Sequence, residues 1–245
     1  MPDYGLAGKV AIVTGGNTGI GAATVRALAA EGVAVGIAFY AAPEQAAALA
    51  AQVYARDGRS TMYEVDLGDP EAIAPLFDHV ERSLGPVDIL VNNAAHSERD
   101  DWPLLAAESL DRHYAVNTRA TALAITEFAR RFRGGAGGRV INLTSGQGLG
   151  PMPGELAYVA SKGAIEALTT TFAAELALLG ITVNAVDPGI TDTGWISDEF
   201  RAELLARAPF GRIGTPEDAA RLILFLASEQ GSWITGQIIH SRGGF

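Results

Sequence analysis

Tyr158 and Lys162 stand four positions apart in Tyr158-Val159-Ala160-Ser161-Lys162, inside a stretch that reads as helix. Two side chains at that spacing share one helix face. A tyrosine ordinarily titrates near about 10, too high for an effective base at neutral pH. A neighbouring ammonium favours the phenolate and lowers that value. The pair is therefore a candidate for proton transfer at a reacting oxygen. Ser145 lies thirteen residues before Tyr158, in Leu143-Thr144-Ser145-Gly146. It follows a short apolar run that reads as a strand, and the carboxyl end of a parallel strand is where such a sheet meets its ligands. Its hydroxyl can donate a hydrogen bond to a carbonyl oxygen. A hydrolase with Ser145 as nucleophile does not fit: the surroundings are not G-x-S-x-G, and no His/Asp pair follows at recognisable positions.

The second constellation is Thr14-Gly15-Gly16-Asn17-Thr18-Gly19-Ile20-Gly21, which closes the first strand and opens the first helix. Glycines there allow a tight turn and let backbone approach a pyrophosphate. The helix N-terminus behind them supplies free N–H groups and a positive dipole end for the anion. A dinucleotide is the favoured ligand. The order G-x-x-x-G-x-G differs from G-x-G-x-x-G, and no Lys-Ser/Thr pair follows to make a Walker A loop.

The elements that must position these groups alternate. Residues 9–14, 33–39, 61–65, 87–91, 139–143, 181–186 and 237–240 are short apolar runs suited to buried parallel strands. Helical stretches are predicted at 20–31, 43–57, 69–84, 108–132, 157–179 and 216–228. The reading is a single-domain, Rossmann-type α/β fold over 1–245: a doubly wound parallel sheet of about seven strands, with helices on both faces. Gly134-Gly135-Ala136-Gly137-Gly138 is read as a helix-to-strand turn, and 190–214 as an irregular loop that covers substrate.

Composition narrows the function classes. The 245 residues carry 18 Lys+Arg against 28 Asp+Glu, a net charge of −10, with 48% hydrophobic residues and no Cys. The acidic balance argues against nucleic acid and anionic membranes as partners. Absent cysteine removes disulfides, thiolate catalysis and Cys-ligated metal. His79, His96, His113 and His240 show no metal-ligand spacing, so no metal is expected; His96 and His113 are placed where either could touch substrate. No signal peptide is visible in Met1-Pro2-Asp3-Tyr4-Gly5 and no apolar run is long enough to span a bilayer, so the expected location is cytoplasmic.

Taken in order, Thr14-Gly-x-x-x-Gly-Ile-Gly21, Asn92-Asn93-Ala94-Ala95, Tyr158-x-x-x-Lys162 and Pro188-Gly189 resemble the short-chain dehydrogenase/reductase family over essentially the whole chain. The resemblance implies hydride transfer between a nicotinamide and a carbonyl or secondary alcohol. In that scheme Tyr158 is general acid or base, Ser145 polarises the carbonyl, and Lys162 binds the nicotinamide ribose and lowers the tyrosine pKa. Asn117 matches the fourth catalytic position, which distorts its helix and holds a water linked to the lysine. Gly15, Asn17, Thr18, Gly19, Ile20 and Tyr40 surround the phosphates and adenosine ribose. Asn92, Asn93 and Ala94 line the adenosine side, Asp66 and Leu67 the adenine, and Pro188, Gly189, Ile190 and Thr193 the nicotinamide carboxamide.

An NAD site places Asp or Glu about 20 residues beyond the glycines, and an NADP site places a basic group there. The second strand here ends Ala38-Phe39-Tyr40-Ala41-Ala42 with neither, and Thr18 stands in the slot that is Arg in many NADP-using relatives. Absence of the carboxylate favours NADP(H) over NAD(H). Trp195, Ile196, Phe200, Leu204, Leu205 and Phe210 either shape an apolar substrate site or pack the covering loop. The expected substrate is a small carbonyl compound or alcohol, making the chain a ketoreductase. The resemblance extends to 3-oxoacyl-carrier-protein reductases, for which Arg130-Arg131-x-Arg133 offers a docking cluster; the same arginines also complement a helix C-terminus. Family precedent implies a homotetramer or homodimer through the helices 108–132 and 157–179. The alternative class is a noncatalytic dinucleotide-binding sensor; the intact Asn117, Ser145, Tyr158 and Lys162 favour the enzyme.

Overall fold

The structure is a computed structural model describing residues 4–133 and 137–245. Met1-Pro2-Asp3 and the Gly134-Gly135-Ala136 portion of the glycine-rich turn lie outside the described residues. The strands are β1 (Val10–Thr14), β2 (Ala34–Phe39), β3 (Ser60–Glu64), β4 (Ile89–Asn92), β5 (Gly138–Leu143), β6 (Ile181–Asp187) and β7 (Ile238–His240). They form one sheet in the order β3-β2-β1-β4-β5-β6-β7, and all six pairings are parallel. The doubly wound α/β architecture expected above is the one observed.

Every residue of β1, β2, β4, β5 and β6 is buried, which explains why these strands read as unbroken apolar runs. Their side chains alternate between two cores. Ala11 and Val13 face α1 (Gly19–Ala30), α2 (Pro43–Tyr54) and α8 (Pro216–Ala227) through Leu28, Leu49 and Ile223. Val10 and Ile12 face α3 (Ile73–Leu84), α5 (Ala120–Arg131) and α6 (Leu156–Leu176) through Phe77, Phe128 and Leu176. The chain order reverses between β1 and β4, so the loops leaving β1 and β4 diverge to opposite faces and open a crevice at the strands' carboxyl ends.

Two helical expectations need correction. The stretch 108–132 is α4 (Ala107–His113) and α5 joined by a π-helical turn over Tyr114–Arg119. Within 190–214, expected to be irregular, α7 spans Asp198–Arg207. Ser197 caps it by accepting from Phe200 N at 3.2 Å, with Asp198 and Glu199 in the first turn. Those are proper helix-start signals. Leu204 is its single buried residue, so the apolar period that marks a helix is missing.

Candidate active site

The turn between β1 and α1 is built for close approach. Gly15 and Gly19 hold φ of +60° and +50°, a region that favours glycine. A Cβ on Gly21 would overlap the Gly15 carbonyl and lie 2.7 Å from Asn93 Nδ2. Thr18 is the N-cap of α1, whose first turn carries no acidic residue, so its unpaired N–H groups face the crevice uncompensated. Thr14 Oγ1 accepts from Asn93 N and Ala94 N, both at 3.0 Å, and Asn93 Nδ2 donates to Thr14 O at 2.9 Å and Gly15 O at 3.0 Å. Asn93 thus braces the glycine turn from β4.

The crevice beside this turn encloses about 640 Å³. Gly15, Asn17, Thr18, Gly19, Ile20, Tyr40, Asp66, Leu67, Asn93, Ala94, Tyr158 and Thr193 all line it. It therefore runs from the glycine turn to the catalytic helix. A glycine cradle that a Cβ would fill, opening on a long cleft, fits a dinucleotide. Asn17 is partly engaged already: Nδ2 donates to Ala41 O at 2.7 Å, holding the turn after β2, where Ala42 is left-handed at φ 58°. Asp66 accepts from Gly68 N at 2.8 Å and stands 3.7 Å from Arg112. Asp69, not Asp66, caps the following helical turn, accepting from Glu71 N at 3.0 Å. Asn92 does not line the cleft. Its Nδ2 donates at 2.9 Å to Oδ1 of Asn142, the residue paired with it on the neighbouring strand β5. Pro188, Gly189 and Ile190 also stand outside the lining, with Gly189 N donating to Asp187 Oδ1 at 2.9 Å.

The other three residues singled out for catalysis converge behind and beside Tyr158. Ser145 follows β5, in extended backbone, and its hydroxyl hydrogen-bonds Tyr158. Lys162 is 2% exposed; Nζ donates to Leu143 O at 2.7 Å and lies 5.6 Å from the Tyr158 ring centre. Burial pushes the Tyr158 hydroxyl up to about 12, against the pull of the Ser145 hydrogen bond, with Glu155 and Asp187 adding to the rise. Burial pushes Lys162 down to about 8. This departs from the expected depression of Tyr158 by Lys162. The ammonium is drawn to a backbone carbonyl and sits over the ring, while desolvation acts on both groups.

Asn117 lies in the π-helical turn and is fully buried. Its Oδ1 accepts from His96 N at 2.7 Å, and Nδ2 donates to His96 O and Ser161 Oγ, both at 2.9 Å. The amide thus pins the segment leaving β4 to α6, and the distorted helix implied by resemblance is present. Its main-chain carbonyl accepts from Thr121 Oγ1 at 2.7 Å. His113 is completely buried, with its ring edge-on to Tyr158 at 6.4 Å. Nδ1 meets Ser109 O at 2.8 Å and Nε2 meets Glu98 N at 3.2 Å, an arrangement that defines the neutral Nδ1–H tautomer. It packs the tyrosine and does not reach the cleft, whereas His96 lines it.

Sequence reasoning missed Asp100. Buried in the segment after β4, it accepts from Ala157 N through Oδ1 at 3.3 Å and Oδ2 at 3.1 Å, capping the helix that carries Tyr158. No local signal announces a cap 57 residues away. Arg112, on the cleft wall, was also missed. Among the described residues, no cluster of three or more His, Cys, Asp or Glu could hold a metal ion, and no helix is long and apolar enough to cross a membrane.

A seven-stranded parallel sheet with a glycine cradle and a Tyr-Lys-Ser group at its carboxyl edge defines a nicotinamide-dinucleotide oxidoreductase of the α/β type. The family model described as enoyl-(acyl carrier protein) reductase matches residues 15–245. The chain is 50% identical over 242 residues to an uncharacterized oxidoreductase, YjdA, of Bacillus subtilis, covering 97% of this chain and 96% of that one. It is 36% identical to an NADPH-dependent aldehyde reductase-like chloroplastic protein of Arabidopsis thaliana, covering 100% and 97%. A short chain dehydrogenase from Burkholderia cenocepacia, solved in complex with NADP, superposes with a TM-score of 0.91 at 35% identity, covering 97% and 98%. The chain belongs to the short-chain dehydrogenase/reductase family and is an NAD(P)-dependent oxidoreductase of CH–OH/C=O groups.

Proposed function

We propose that the chain reduces the carbonyl of a small ketone or aldehyde with NADPH, using Tyr158 as general acid. The observation that carries this is Tyr158 itself: it stands on the cleft wall, bonded to Ser145, and is held protonated across the neutral range. A bound NADPH supplies the hydride from its nicotinamide. Tyr158 Oη gives its proton to the carbonyl oxygen as charge develops there. Ser145 donates to the same oxygen and fixes its direction. Lys162, released from Leu143 O, reaches the nicotinamide ribose and stabilises the phenolate left on Tyr158. Asn117 keeps the β4 segment fixed to α6 and offers its carbonyl to a water in the proton relay.

Preference for NADP(H) is supported by the turn after β2, where Tyr40, Ala41 and Ala42 bring no carboxylate to repel a 2′-phosphate. The phosphate would meet Thr18, Asn17 and the Tyr40 hydroxyl. Steady-state kinetics with both cofactors, against a panel of β-ketoesters, acyl thioesters, and cyclic and aromatic ketones, tests the reading. A higher kcat/KM with NADPH is expected; a preference for NADH of about tenfold, roughly 1.4 kcal/mol, overturns it.

Of the apolar residues in 190–214, Ile196 and Leu204 are buried with Ile213 and packed by Phe200, so they seat α7. Trp195, Leu205 and Phe210 are exposed and remain the residues to meet an apolar substrate. The acyl-carrier-protein reading is weakened at its arginine cluster. Arg131 is held by Glu127 at 2.6 Å, Asp78 at 2.7 Å and Glu81 at 3.0 Å, and Arg130 stands 3.9 Å from Glu127, so only Arg133 and the exposed part of Arg130 are left for an acidic partner. A homotetramer, or a homodimer, is supported by exposed Leu110, Tyr114, Leu123 and Leu156 on α4, the π-turn, α5 and α6. Light scattering should give a multiple of the 25.5 kDa chain mass, and a strict monomer refutes the assembly.

A further inference from the structure

Asp187 ends β6 with its side chain fully buried, and the reaction as written gives it no task. A carboxylate held there needs cations and donors around it. Oδ2 accepts from His240 Nδ1 at 2.8 Å and from Arg242 Nη1 at 3.0 Å, while Oδ1 takes the Gly189 N–H. Both side-chain partners come from the chain's last segment. Ser241 N also donates to Asp187 O, at 2.7 Å, continuing the β6–β7 pairing past His240.

Arg242 is wedged between two glycines. Nη1, Cζ and Nη2 are the three atoms nearest to where a Cβ on Gly146 would stand, and that Cβ would overlap the guanidinium. A Cβ on Gly189, which is left-handed at φ +62°, would come within 2.9 Å of Arg242 Cγ and 3.0 Å of its Cα. Gly146 directly follows Ser145, and Gly189 sits in the turn assigned to the nicotinamide carboxamide. One side chain therefore touches both turns. Its Nε also donates to Phe245 O at 3.3 Å, and Phe245 packs on the Ile196, Leu204 and Ile213 cluster beneath α7.

We propose that Arg242, held by Asp187, is a positioning residue that clamps the Ser145–Gly146 turn to the Pro188–Gly189–Ile190 turn and so sets the carbonyl-polarising hydroxyl against the nicotinamide seat. The proposal rests on the roles given above to Ser145 and to that turn. Charge accompanies the clamp. Tyr158 is faced by Glu155 from its own helix start, Asp187 from β6, the Lys162 ammonium over its ring, the neutral His113 ring and the Ser145 hydroxyl. Arg242 and His240 both answer the Asp187 charge. Removing the guanidinium leaves that carboxylate less compensated and raises Tyr158; removing the carboxylate's charge leaves a guanidinium and lowers it.

The test is a cycle of Arg242→Met, Asp187→Asn and the double variant, with Arg242→Lys as a gentler step and His240→Asn as a background free of the second side-chain partner of Asp187. Arg242→Met is expected to lower kcat by about 10²-fold, as a misplacement of Ser145 by about 1 Å can. NADPH binding to the free protein, read by fluorescence titration, should change far less, and Arg242→Lys should recover part of kcat. In the alcohol-oxidation direction the rising limb of the pH profile should move up in Arg242→Met and down in Asp187→Asn, returning toward wild type in the double variant. Amide hydrogen exchange should quicken in both clamped turns of Arg242→Met. Loosening of the fold alone moves both single variants the same way. Shifts of one sign in both, or unchanged exchange in the two turns with kcat kept, overturns the clamp. Loss of turnover in Tyr158→Phe alongside full turnover in Arg242→Met sinks the clamp while leaving the catalytic reading in place; turnover kept in Tyr158→Phe sinks the reading first.

Discussion

Tyr158→Phe is expected to lower kcat by about 10²- to 10⁴-fold in both directions, the contribution of a positioned general acid–base group. The ring stays, so its edge contact with His113 and the Lys162 ammonium above it are retained. Only the hydroxyl is lost, with its hydrogen bond to Ser145. Ser145 lies partly exposed, so its freed hydroxyl finds water and no buried polar group is stranded. Thermal stability and NADPH binding should therefore stay close to wild type while turnover collapses. Equilibrium binding by NADPH fluorescence beside steady-state kinetics makes the measurement, and wild-type-like turnover would refute the assignment. A parallel loss of cofactor binding would instead move Tyr158 from proton transfer to cofactor seating.

Lys162→Met has the second large effect, and it reads out in two independent ways. Turnover should fall by about 10²-fold or more, because the phenolate on Tyr158 loses its cation. The second readout is the pH dependence of stability. Lys162 titrates at 10.5 when free and is pushed down to about 8 by burial. Between those values the unfolded chain binds the proton and the folded chain does not, so wild-type stability rises with pH across that window. The rise is complete above 10.5 and is lost as pH falls through 8. Its size is on the order of 3 kcal/mol. Tyr158 acts with the opposite sign: raised to about 12, it stays protonated after the unfolded chain has ionised near 10.0, so stability falls as pH climbs between the two. Denaturant midpoints at pH 7.5, 9 and 10 should climb for wild type and flatten for Lys162→Met. An unchanged slope in the variant would show that the ammonium is not desolvated in the folded protein.

Much of the fold was legible because its signals are local. Parallel strands buried on both faces must be short apolar runs, and β1, β2, β4, β5 and β6 are. The cradle was legible because glycine most readily adopts the positive φ of Gly15 and Gly19, and only glycine tolerates the backbone contact at Gly21. What escaped was marked by no pattern in its own segment. The helix α7 buries one residue and so carries no apolar period. Asn92 and Asn93 are neighbours of one type, yet the first bonds across to β5 and the second to the glycine turn.

The sequence by itself determined the class of fold, the cradle and the candidate for proton transfer, since spacing along one helix face is enough to pair Tyr158 with Lys162. Tertiary structure alone decided what those groups feel. Asp100 caps the catalytic helix across 57 residues, Arg242 reaches Asp187 across 55, and burial, not proximity of the ammonium, sets the direction in which Tyr158 is moved. The reason is physical. Backbone conformation and helix phase are set by neighbours in the chain, whereas desolvation and ion pairing depend on which distant segments close over a side chain.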